Sequence, residues 1–143
     1  MKPAFLVSIA ITLGTSAFYC SSVTTAAEAP NLASYQGAWL EQSMQCHEVY
    51  VSRRNGMAFR KNVNLFAPAI LISGKRLATP GAVCHIRSVS GAKERQTIRL
   101  GCATSITVTP ITAYISSRDG ALYRYTDESD RVGSRYERCL PQH

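Results

Sequence analysis

The chain has 143 residues, with 16 lysines and arginines against 9 acidic residues for a formal net charge of +7, and 45% of it is hydrophobic. That is one domain's worth of sequence, enough for a single modest core. The basic balance comes mostly from arginine, but no RNA- or DNA-binding motif accompanies it, so nucleic acid is not an expected partner.

Met1-Lys2, the apolar run from Ala4 to Phe18 and the small residues from Ser21 to Ala29 form a charged n-region, an h-region and a cleavage zone. Residues 1–27 are read as a signal peptide cut after Ala27. A second site, after Ala29, is disfavoured by Pro30 directly beyond it. The apolar run is shorter than the ~20 residues of a spanning helix, and Ser8, Thr12, Thr15 and Ser16 dilute it. No transmembrane helix is therefore expected in the mature chain. Cys20 follows the bulky Tyr19, which argues against lipid attachment, so it leaves with the leader. Cys46, Cys84, Cys102 and Cys139 remain. An even count behind a leader predicts two disulfides in an oxidising compartment, the periplasm or beyond.

Residues 28–36 are read as a flexible entry and 37–143 as a single β domain. No segment keeps apolar residues at helical spacing for more than two turns. Strands are expected instead near 37–43, 46–53, 57–61, 69–73, 82–89, 96–104, 106–115, 121–126 and 133–139. Asn55-Gly56 and Arg118-Asp119-Gly120 supply turns whose residues tolerate positive φ. Pro110 inside the 106–115 run predicts an edge or a bulge there. The fold class expected is all-β, an antiparallel meander forming a small closed or partly open barrel with two disulfides.

The clearest piece is the hairpin from Val83 to Ala103. Folding it about Ala92-Lys93 sets Cys84 opposite Cys102 and Ile86 opposite Leu100 on one face. A cross-strand bridge fits there, and Cys46 with Cys139 would then tie the first and last strands. Four cysteines allow three connectivities, and all three stay open at this point. The same register places Arg87 across from Arg99 on the opposite face, with Lys93 and Arg95 near the turn. A second basic group, Arg53, Arg54, Arg60 and Lys61, flanks Asn55-Gly56. These arginines are the candidate binding residues, because guanidinium forks hold carboxylate and phosphate bidentately. The plain alternatives are a solvated outer face and an arginine-rich codon bias.

Catalytic signals are absent. There is no G-x-S-x-G elbow, Ser90-Gly91-Ala92-Lys93 falls in a turn rather than on a helix, and Asp127, Glu128 and Asp130 lack calcium-loop spacing. No cofactor or metal site is expected. The one metal idea weighed requires Cys46 to pair with Cys84, which would bring His47 and His85 together.

Gly37-Ala38-Trp39, opening the first strand with the only tryptophan, resembles the start of the calycin barrels, which include lipocalins and small bacterial periplasmic inhibitors of metalloproteases and lysozymes. The resemblance covers these three residues and the pattern of short strands. It implies that Trp39 closes one barrel end and that a late-strand arginine, Arg135 or Arg138, packs on the indole. The expected function is a secreted or periplasmic non-catalytic binding or inhibitor-type module, using a basic face for an anionic envelope component or a protein partner. The rivals are a cell-wall or polysaccharide hydrolase, for which Glu41, Glu48 and Glu137 are the strand-borne acids available, and a structural envelope component.

Overall fold

The computed structural model describes residues 31–92, 94–103 and 106–141; the leader, its cleavage sites and Lys93 lie outside them. In chain order the elements are β1 (Gly37–Glu41), a one-turn helix α1 (Cys46–Val49), β2 (Tyr50–Arg53), β3 (Gly56–Phe59), β4 (Ala69–Ser73), β5 (Arg76–Thr79), β6 (Ala82–Ala92), β7 (Arg95–Ala103), β8 (Val108–Arg118), β9 (Ala121–Tyr125) and β10 (Ser134–Cys139). Strands β4 to β10 run as an antiparallel meander. β1 pairs with β10 on one side and β4 on the other, closing an eight-stranded barrel. Closure pairs every barrel strand on both sides for part of its length, while 86–92 of β6 and 108–113 of β8 extend past β5 and β9 and are paired on one side only.

Alternation along each strand decides what faces inward. On β7, Ile98, Leu100 and Cys102 are buried while Arg99 and Ala103 are exposed. Cys84 and Ile86 of β6 face the same interior, which Trp39, Ile70, Ile72, Leu77, Ile115, Leu122 and Tyr136 complete. A second core lies outside the barrel. There the β2–β3 hairpin and α1 form a flap whose Val49 and Tyr50 cover Ala38, Leu40 and Ala69, the outer faces of β1 and β4. The Tyr50 hydroxyl reaches through this layer to the carbonyl oxygens of Trp39 and Ile70, at 2.8 and 3.0 Å. Burial holds that phenol well above the ordinary tyrosine range, so it stays a donor.

Cys84 pairs with Cys102 and Cys46 with Cys139. The first bridge crosses the β6–β7 hairpin inside the barrel, in the expected register. The second does not join the barrel ends directly; hydrogen bonds between β1 and β10 do that, and the disulfide instead clips the flap onto β10. The pairing Cys46 with Cys84 does not occur, which removes the premise for a His47–His85 site.

Several local expectations change. Cys46–Val49 is helical rather than extended, because Gln45 and Glu48 form a reciprocal capping box that satisfies the first turn. β5 was not expected: Arg76–Thr79 is squeezed between Gly74-Lys75 and Pro80-Gly81, too short to show alternation. The hairpin turn of the flap is Arg54-Asn55, one residue earlier than Asn55-Gly56, and only Gly56 takes positive φ. At Asp119-Gly120 both residues do, at φ 51° and 75°, as a tight two-residue hairpin turn requires. Pro110 pairs only with β7, at Gly101, since β9 joins β8 from Tyr114 onward; the proline sits on a local edge. Within the expected flexible entry, Ala33–Tyr35 forms a 3-10 turn with Tyr35 buried.

Candidate functional site

One end of the barrel is sealed. Trp39 is 1% exposed, and its indole N–H donates to the Tyr35 carbonyl at 2.7 Å. The Arg138 guanidinium lies 4.2 Å from the indole centre and donates to the carbonyls of Gln36 and Ser34. Gly37 has φ +121°, and a Cβ there would stand 2.8 Å from Arg138 Nη1. The G-x-W opening thus has a local cause: glycine gives the backbone its conformation and the guanidinium its seat, and tryptophan is what that guanidinium covers. Of the two arginines considered for this contact, Arg138 makes it. Arg135 instead forms an exposed ion pair with Glu137 at 2.8 Å, a contact worth little. Burial, with Tyr125 nearby, pushes the Tyr35 hydroxyl up to about 12, so Arg138 is the charged group of the seal.

The other end is open. A cavity of about 420 Å³ enters the barrel there, floored by Leu77, Leu100, Ile115 and the Cys84–Cys102 bridge. Arg124 is the one charged side chain among its described lining residues. Its guanidinium acts on the Tyr136 hydroxyl, which burial raises and Arg124 lowers, with a net upward shift. Leu65, Phe66 and Ile111 line the rim and remain largely exposed, Phe66 at 91%. Arg124 belongs to no sequence motif, while Tyr136 follows Arg135 on β10, the strand that pairs with β1.

The basic residues separate into three groups. Arg95 stacks 3.8 Å over the Tyr125 ring and donates to the backbone carbonyls of Glu128, at 2.7 Å, and Asp130. It anchors the 126–133 loop rather than offering a free charge. Arg53 and Arg54 are exposed at the flap tip, while Arg60 donates to the His47 carbonyl at 2.6 Å. Arg87 and Arg99 are exposed on the outer barrel face, but they do not stand opposite each other. A bulge between Ile86 and Ser88 shifts the register, so Ser88 faces Arg99 and Arg87 is the extra residue.

The loop that Arg95 holds has its own latch. The Asp130 carboxylate accepts backbone N–H groups from Thr126, Val132 and Gly133, at 2.9, 3.0 and 3.0 Å. These bonds pull its pKa from 3.8 to about 2. A depressed folded-state pKa contributes stability above the unfolded value, and that contribution is lost as pH falls through the folded one. Wild type should therefore lose Tm more steeply than Asp130→Asn between about pH 4 and about pH 2. Thermal melts of both proteins across that window check this, and parallel curves would contradict it.

The strand-borne acids do not converge. Glu48 closes the α1 capping box, and Glu137 pairs with Arg135 on an outer face. Glu41 stands across from Tyr136, on the alternation that carries Trp39. Among the described residues no three histidine, cysteine or acidic side chains group as metal ligands, and no helix is long and apolar enough to cross a membrane. Comparison with protein-family models, curated proteins and solved structures finds no match to this chain.

Proposed function

We propose that the protein is an exported, non-catalytic binding module of the calycin kind, which takes an amphiphile with an apolar tail into the open end of its barrel. The observation that carries this reading is the cavity of about 420 Å³, apolar at its floor with Arg124 and Tyr136 as its polar handles. Its size lies within the ~300–1,000 Å³ of ordinary small-ligand sites. Two disulfides suit an oxidising compartment. The Gly37–Trp39–Arg138 seal at the far end agrees with the calycin resemblance and makes the barrel a cup rather than a tube.

Dodecanoate is a suitable probe, since its tail matches the floor and its carboxylate the guanidinium. It should displace an environment-sensitive dye from wild type, and Ala113→Trp, which fills the cavity, should abolish displacement. Arg124→Ala should weaken dodecanoate by about tenfold while leaving dodecanol unaffected, the difference expected for one charge-assisted contact. Failure of wild type to take up either probe would refute the reading.

A further inference from the structure

The outer face of β5–β8 carries a second feature that the cavity does not explain. Register sorts its exposed side chains into rows that cross the strands. Val83, Ala103 and Val108 stand in line on β6, β7 and β8. Two residues along, Arg76, His85 and Gly101 form the next row. Two further along β7 stands Arg99. Arg87, the bulge residue, lays its guanidinium over Gly101, where a Cβ would come within 2.6 Å of its Nε. The result is a dish of about 460 Å³ with Arg76, His85 and Arg87 on one side and Val83, Ala103 and Val108 on the other. Val83 and Val108 are 43% and 55% exposed. No salt bridge among the described residues engages Arg76, Arg87 or Arg99.

Unneutralised guanidinia beside an apolar row define a complementary ligand. Rows two residues apart on a strand are ~7 Å apart, the spacing of alternate side chains on an extended chain. We propose that this dish docks an extended acidic segment of a protein partner, with an apolar side chain at one position and carboxylates two and four positions on. The apolar side chain covers Val83, Ala103 and Val108. The first carboxylate meets Arg76 and Arg87 above Gly101, and the second meets Arg99. The bulge serves this arrangement by swinging Arg87 off the regular ladder and onto the glycine, where it presents donors rather than facing Arg99. The inference rests on the reading of the protein as a binding module but uses a site on the opposite face of the sheet from the cavity.

A fluorescein-labelled peptide, Thr-Val-Thr-Glu-Thr-Glu-Thr, tests it by anisotropy with the full mature protein at low ionic strength. Wild type should bind it, and binding should weaken as salt shortens the Debye length from ~30 Å to ~8 Å. Arg87→Ser with Arg99→Ser should weaken binding about tenfold. Arg53→Ser with Arg54→Ser removes the same charge from the flap tip and should change it by less than roughly twofold. Gly101→Ala keeps every charge but displaces the Arg87 guanidinium, and should weaken binding with an unaltered Tm. Ala113→Trp, which closes the cavity, should leave peptide binding intact and so separates this site from the other. Equal losses in the two arginine double variants would reduce the effect to net charge and overturn the proposal. So would binding to phosphatidylglycerol vesicles with none to the peptide, or no peptide binding by wild type.

Discussion

Trp39→Ala should cost about 3–5 kcal/mol, the range for removing a large buried aromatic, and so consume much of the ~5–15 kcal/mol that holds a domain of this size folded. The loss has several parts here. The indole fills the sealed end of the interior at 1% exposure and donates its N–H to the Tyr35 carbonyl. It is also the surface on which the Arg138 guanidinium rests. Without it Arg138 keeps its bonds to Gln36 and Ser34 but loses the ring beneath them. Arg138→Ala should cost less, about 1–2 kcal/mol, because the cation–π contact is partly exposed. Urea melts of the two variants give both figures. Native fluorescence should be blue-shifted and poorly quenched by iodide. A solvent-like emission maximum with free quencher access would show that the seal does not hold in solution.

How much of this was legible depends on whether the signal was local. The β6–β7 register was, because Cys84, Ile86, Leu100 and Cys102 alternate cleanly with polar residues and have few other ways to bury together. The position of Arg87 was not. A bulge depends on what the neighbouring strand accepts, here a glycine at 101 that leaves room for a guanidinium, and pairwise alternation cannot express it. β5 escaped notice because four residues between two turns carry too little period, and Arg76 escaped with it. The helical turn at Cys46–Val49 was hidden by β-branched and apolar neighbours that suit either state, with the Gln45–Glu48 box deciding the matter. Arg95 read as a surface charge only because its partners, Tyr125 and the carbonyls of Glu128 and Asp130, lie some thirty residues away in sequence. The open cavity is the extreme case. Arg124 and Tyr136 meet across the β9–β10 pairing, and the rest of the lining runs back to Leu65, so no sequence window contains the site.

The second large effect concerns the disulfides and separates their roles. Cys46 and Cys139 are 93 residues apart, and Cys84 and Cys102 are 18 apart. In the chain-entropy model those loops correspond to about 4.5 and about 3 kcal/mol, so Cys46→Ala with Cys139→Ala should be the more damaging pair of changes. The structure adds where the damage appears. The longer loop's bridge holds the flap, whose other ties include the apolar contacts of Val49, Tyr50, Met57 and Phe59 and the Tyr50 hydroxyl on the Trp39 and Ile70 carbonyls. Amides of β2 and β3 should therefore lose hydrogen-exchange protection first, while those of β6 and β7 keep theirs. Removing Cys84–Cys102 should instead weaken the whole barrel together, since that bridge is packed in its interior. Adding Tyr50→Phe to the first variant should deepen flap exchange further, because it strips the hydroxyl from both carbonyls and leaves the ring in place. Uniform loss of protection across flap and barrel on breaking Cys46–Cys139 would show instead that the flap and barrel unfold as one unit and that the second core is not a separable layer.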